Sequence, residues 1–300
     1  MTFVGLALPQ LGDIADIEVI EEFSRSAQRL GFDSLWAQEH FLFASGDGSK
    51  YPERSGGAQR SVYETVYSPI ELLSAVTAWA PGMGIGTSIL VAGYHQPAPL
   101  ANRLATLDHL SGGRLIAGFG LGWSDEEHRA AGTNPRTRGE RMDDFAMALR
   151  ACWGEDPVSH SGPFFDVPEG IMRPKPVRSI PLMSGMWSEA GLRRTARHFD
   201  LWNPGGPSTS LDEAEASLAR MNEWRPDGMD PLGMVYRIAT ETTAGVKLGV
   251  KGVKDVVADV RERGIEGVII DTNFDTSITS RGEWLDLLER LAPTTEPTTG

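Results

Sequence analysis

The sequence predicts an α/β protein: a single-domain TIM (β/α)8 barrel with long loops at the C-terminal face of its strands. Three observations carry this expectation. Short apolar runs alternate with amphipathic helical stretches eight times, the count of a closed barrel. The chain has 300 residues, long for one ordinary domain but suited to one such barrel. The stretch LATLDHLSGGRLIAGFGLGW, residues 104–123, joins a helix to a buried strand that ends in open glycines, the place where α/β enzymes hold ligands.

The elements follow in order. Residues 3–8 read as the first strand. Ile17, Ile20, Phe23, Ala27 and Leu30 form the apolar face of a helix stopped by Gly31. Residues 34–38 are the second strand. Residues 41–68 are rich in Gly, Ser and charge and too long for a simple connection, so they are expected to be a loop that covers the site as a lid. Pro69 opens the next helix, and residues 85–91 are the third strand. Leu100, Leu104, Leu107 and Leu110 mark one helix face over residues 99–111, with Gly112 and Gly113 placed to end it in left-handed conformation. Residues 115–119 are the fourth strand. Residues 120–139 are expected to be a loop, 141–153 a helix, and the proline-rich 154–178 an excursion without regular structure. Strand 181–184, helix 189–198, strand 201–203 and helix 211–224 follow, the last with Ser210 and Glu213 as a capping box. Strand 233–240, helix 253–263, strand 267–271 and helix 284–291 complete the count. The barrel domain is expected to span residues 1–292, and the polar, proline-broken 293–300 to be a disordered tail. An open doubly wound sheet is the alternative fold. A dinucleotide loop beginning at Gly118 would need glycine where Trp123 stands, which argues against it.

The composition narrows the function. A net charge of −13 disfavours nucleic acid and anionic membranes as partners, and no run of apolar residues is long enough to span a bilayer. The N-terminus reads as a strand rather than a signal peptide, and a single cysteine, Cys152, suits a reducing compartment; the expected location is cytoplasmic. Cys152 lies in a helical run and reads as a packing residue. The histidines at 40, 95, 109, 128, 160 and 198 show no metal-ligand spacing, so no metal is expected.

The blocks GFDSLWAQEH (31–40), GIGTSIL (84–90), 104–123, EDPVSHSGPFF (155–165), MRPKPV (172–177) and SEAGLRRTARHFDLW (188–202) resemble, in this order, those of the bacterial luciferase-like oxidoreductases, the luciferase-like monooxygenase family. The resemblance runs from Phe3 to about residue 291 and implies a barrel that binds FMN or the deazaflavin coenzyme F420; GIGTSIL and EDPVSHSGPFF look closer to the F420-dependent branch. It implies a homodimer as well.

Candidate site residues lie at the strand ends. Glu39 and His40 end the second strand, where polar side chains of a barrel face the active site and an imidazole can exchange a proton. The resemblance implies that His40 faces the reactive edge of the flavin ring and that Glu39 is the acidic residue common in deazaflavin enzymes. Thr87, Ser88 and Ile89 end the third strand; the resemblance implies a non-proline cis peptide there, at Ser88–Ile89, backing the ring. Gly120, Gly122 and Trp123 end the fourth, with the indole offering a flat wall. Gly185, Met186, Trp187 and Ser188 precede a helix whose free N–H groups suit a phosphate. Met186 and Trp187 are bulkier than the family pattern of a glycine pair and a small polar residue, and Asp200-Leu201-Trp202 departs from its Asp-Gly-Trp. The expected function is hydride transfer between reduced F420 and a small organic substrate with an activated C=C, C=N or carbonyl bond. The alternatives are an FMN-dependent monooxygenase using oxygen and a flavin-binding barrel without turnover.

Overall fold

The structure, a computed structural model, describes residues 2–44, 62–205, 209–241 and 247–293. Eight parallel strands close into a barrel with helices around it, as the sequence predicts. The central part of the expected lid and the tail beyond Pro293 lie outside the described residues.

The strands are β1 (Phe3–Ala7), β2 (Ser34–Ala37), β3 (Gly84–Thr87) continued by β4 (Leu90–Val91), β5 (Leu115–Gly120), β8 (Leu182–Ser184), β9 (Leu201–Trp202), β10 (Gly233–Ala239) and β11 (Gly267–Asp271). Each pairs in parallel with the next, β3 reaches β5 through Ile85↔Leu115, and β11 returns to β1 through Val4↔Val268. The third strand is broken at Ser88–Ile89, whose peptide is cis, and resumes with Leu90↔Phe119.

Helices α1 (Ile17–Arg29), α2 (Pro69–Trp79), α3 (Pro97–Ser111), α5 (Arg138–Trp153), α6 (Glu189–His198), α7 (Leu211–Glu223), α8 (Gly249–Glu262) and α9 (Arg281–Leu291) pack outside. Their stops follow the local chemistry. Gly112 ends α3 at φ 65°, the left-handed region that an L side chain enters only at a cost. Ser210 and Glu213 close a reciprocal capping box on α7.

Strand alternation makes two cores. Leu6, Leu35, Ile85, Val268 and Ile270 face the helices, whereas Ala7, Trp36, Met183, Val235 and Ile269 fill the barrel interior. Trp36 is the interior's largest side chain, and Gly5 and Gly86 on the flanking strands make room for it: a Cβ at either position would overlap the indole. Its Nε1–H donates to Ser34 Oγ at 2.8 Å.

Two expectations are corrected. Residues 120–139 are not a plain loop: α4 (Asp125–Ala130) forms there, with a 3-10 turn at Pro135–Thr137. The Ser124 hydroxyl accepts the N–H of Glu127 and nucleates that short helix. Residues 154–178 contain a hairpin, β6 (Val158–Ser161) against β7 (Asp166–Gly170). The buried Asp144 carboxylate of α5 organises it, bonding His160 Nε2 at 2.7 Å and accepting the N–H of Phe164 and Phe165 at 2.7 and 2.9 Å. Proline density concealed the hairpin because its order comes from this long-range contact rather than from strand propensity.

Candidate active site

At the C-terminal ends of the strands lies a cavity of about 490 Å³, within the usual range for small-molecule sites. It is lined by Glu39, His40, Ser88, Ile89, Gly120, Gly122, Trp123 and the run Gly185–Ser188, which the sequence pointed to. Thr87 stands apart from that expectation. Its side chain is buried between strands, exchanging hydrogen bonds of 2.9 and 2.8 Å with Gly118 O and N, and it does not line the cavity.

The end of β2 is fixed by two carboxylates. Glu39 accepts the Val91 N–H at 2.7 Å and bonds His95 Nε2 at 2.9 and 3.0 Å, so both its oxygens are spent on holding the chain after the break in the third strand. His40 Nδ1 lies 2.9 Å from Glu127 Oε2, and its ring packs 4.7 Å from Tyr63 and 5.1 Å from Trp123, centroid to centroid. Before these two, Gln38 presents a buried side-chain N–H2 with no protein partner among the described residues.

Below Ile89 runs a polar network. Ser88 Oγ donates to Asn203 Oδ1 at 2.7 Å, and Asn203 Nδ2 donates to Val235 O at 2.6 Å. Arg237 donates to the Ser88 carbonyl and, at 2.8 Å, to Ser88 Oγ, while its other nitrogen meets Asp271 Oδ2 at 2.6 Å. Ile89 presents its apolar side chain above: an added Cβ at Gly120 or Gly185 would come within 2.7 or 3.0 Å of it. In the same lining, Ser188 caps α6 by accepting the Gly191 N–H at 3.1 Å. That leaves the first-turn N–H groups of Glu189 and Ala190 without intrahelical partners, with Arg138 lining the same cavity. Met186 is buried and accepts the Trp202 indole N–H on its carbonyl, whereas Trp187 is 44% exposed at the rim.

Glu127, Tyr94, His95, Asn203, Arg237 and Gln38 were not singled out in the sequence. The rule that polar residues at strand ends face a barrel's site would have found Gln38 and Asn203; Arg237 lies within β10 and Glu127 on a short helix, where no such signal exists.

The Glu127 carboxyl is fully buried, which opposes its charge, but the His40 imidazole and the Phe41 and Leu42 N–H groups outweigh this and hold it below the usual carboxylate range. Burial likewise opposes the charge of Asp143, and His198 and Arg194 hold it low. Groups whose folded pKa is depressed stabilise the fold above their unfolded value and lose that contribution as pH falls through the folded one. Stability in urea should therefore fall as pH drops below about 4.5, the ordinary carboxylate value, adding to a loss that begins below about 6.5 from His128, whose pKa burial lowers. A flat profile from about pH 6 to about pH 3 would contradict this.

Among the described residues no helix is long and apolar enough to cross a membrane, and no three His, Cys, Asp or Glu side chains converge on a metal-sized site. Comparison with known proteins adds identity to this geometry. An uncharacterized protein of Mycobacterium tuberculosis (strain H37Rv) is 28% identical over 249 residues, 82% of this chain and 84% of its own. A riboflavin lyase solved with modified FMN and riboflavin superimposes with a TM-score of 0.74 at 14% identity, covering 97% of this chain and 90% of that one. An F420-dependent secondary alcohol dehydrogenase in complex with an F420–acetone adduct does so at 0.72 and 14%, covering 97% and 98%. At such identities the two structures speak to the fold alone. The family profile of the luciferase-like monooxygenases matches residues 1–244, and the chain belongs to that family.

Proposed function

We propose that this protein is an F420-dependent oxidoreductase, moving a hydride between the reduced deazaflavin and a small organic substrate with an activated C=C, C=N or carbonyl bond. One observation carries the reading: a single cavity brings together an imidazole, His40, the apolar side chain of Ile89, a helix start and Arg138. That set of groups suits a planar ring and a phosphate. The buried Gln38 N–H2 supplies a donor for an acceptor on the ring edge. The blocks GIGTSIL and EDPVSHSGPFF favour the deazaflavin branch.

Bound there, the cofactor supplies the redox chemistry. The chain's own residues hold and orient. Ile89, Trp123 and Val91 exclude water from the reacting face, the α6 N-terminus and Arg138 hold the phosphate, and His40 Nε2 takes or gives the substrate's proton. Glu39 secures the Ile89–Val91 stretch from below. FMN with oxygen is the second reading, favoured by the family's name and by the FMN-bearing neighbour.

Tryptophan fluorescence, with Trp123 in the cavity wall, is the direct test. Quenching by low micromolar F420 but not FMN is the expected result; the reverse selects the monooxygenase reading, and quenching by neither overturns both. Gly185→Val places methyls against Ile89 and into the cavity and is expected to weaken cofactor binding by about tenfold or more, roughly 1.4 kcal/mol. Unchanged affinity would remove the phosphate site from residues 185–188.

A further inference from the structure

Glu127 is 87 residues from His40 in sequence, yet its carboxylate gathers the donors around it. Oε1 accepts the N–H of Phe41 at 2.7 Å and of Leu42 at 3.2 Å. Oε2 accepts the Tyr94 hydroxyl at 2.9 Å and faces His40 Nδ1 at the same distance. The side chain is wholly inaccessible to solvent, on a helix whose start is fixed by the Ser124 cap.

We propose that Glu127 is the positioning residue of the site: it holds His40 as the Nδ1–H tautomer, leaving the Nε2 lone pair for the cavity, and ties the chain leaving β2 to the same anion. The inference rests on the reading of His40 as the group that handles the substrate's proton.

An ionised carboxylate only accepts hydrogen bonds and offers about four lone-pair directions. Two backbone N–H groups and a phenol take three of them. The phenol stays protonated, because burial and the neighbouring Glu127 charge push its pKa up. The fourth contact, His40 Nδ1, must therefore carry a hydrogen. A neutral imidazole has only one, so Nε2 is an acceptor, and no partner for it exists among the described residues. Asp125 and His128 on the same helix, Arg138 of α5, Glu39 with His95, and Tyr63 against the His40 ring also surround this cluster. None of them supplies His40 Nδ1 with another acceptor. The arrangement is the carboxylate–imidazole logic by which one group fixes the tautomer and orientation of another.

Glu127→Gln tests this sharply, because a carboxamide has one acceptor and one donor end. Its oxygen can keep the Phe41 and Leu42 N–H groups only if its N–H2 turns to His40 Nδ1, which must then accept. With histidine labelled by 15N and long-range proton–nitrogen correlation spectra recorded on the full chain, cofactor-free, the unmodified protein is expected to show His40 as Nδ1–H. The Glu127→Gln variant is expected to show Nε2–H. Tyr94→Phe, which removes a donor but no charge, should leave Nδ1–H in place. The F420 affinity of Glu127→Gln should stay within about threefold. His40 found as Nε2–H in the unmodified protein overturns the proposal even if the variant fails to fold, as does a folded variant with an unchanged tautomer. If instead His40→Ala retains turnover, the proton-handling reading fails while the tautomer result stands.

Discussion

Turnover of a His40→Ala variant is expected to fall by about 10²–10⁴-fold, the span covered by positioned acid–base groups, while cofactor affinity changes less than about threefold. The asymmetry follows from where the imidazole stands. His40 touches Tyr63, Trp123 and Glu127 at one wall of the cavity, and its side chain is 11% exposed. The groups suited to a cofactor's phosphate, the start of α6 and Arg138, are other residues of the lining, and no hydrogen bond or ion pair joins them to His40 among the described residues. Alanine thus removes a proton carrier without disturbing the phosphate contacts. The experiment pairs turnover on a panel of enones, imines and secondary alcohols, using F420 in the matching redox state, with direct titration of the cofactor. Equal losses in both would make His40 a binding residue and sink its role in proton transfer.

Arg237→Met is expected to destabilise the fold by about 3–5 kcal/mol, the cost of stripping the partner from a buried ion. Arg237 is 16% and Asp271 3% exposed, and they meet at 2.6 Å. Asp271 Oδ1 also accepts both N–H groups of Asn273, at 3.0 and 2.8 Å, but these donors carry no charge to balance it. Methionine keeps the length of the aliphatic stem, so the loss reports the charge and the bonds to Ser88 rather than a void. Urea unfolding gives the value. The double variant Arg237→Met/Asp271→Asn should recover part of it, since the second change removes the stranded charge. A single-variant loss below about 1 kcal/mol would show that water or rearrangement replaces the guanidinium.

The barrel was legible because its signals are local. The break after Ser111, set by Gly112 and Gly113, the capping box at Ser210 and the apolar runs of β5 and β11 all belong to a few consecutive residues. The strand ends also gave most of the cavity wall. What escaped the sequence depends on groups far apart in the chain. Glu127 sits in a six-residue helix that offers little periodicity to read, and its importance appears only when the fold brings it to His40. The hairpin at 158–170 depends on Asp144 in the same way. Arg237 lies inside the apolar strand GMVYRIA and reads there as an outward polar position until Asp271 and Ser88 are seen beside it.

The fit of Trp36 between Gly5 and Gly86 has an evolutionary consequence. These three positions form a lock that opens only when more than one part changes. A methyl added at either glycine meets the indole at once, and a smaller residue at 36 leaves a void that a single added methyl cannot fill. Exchange here therefore requires paired substitution, with a less fit single variant on every route. Exposed positions at the cavity rim, such as Trp187, carry no such interlock. New substrate preferences can accumulate there one residue at a time, on a foundation that resists drift.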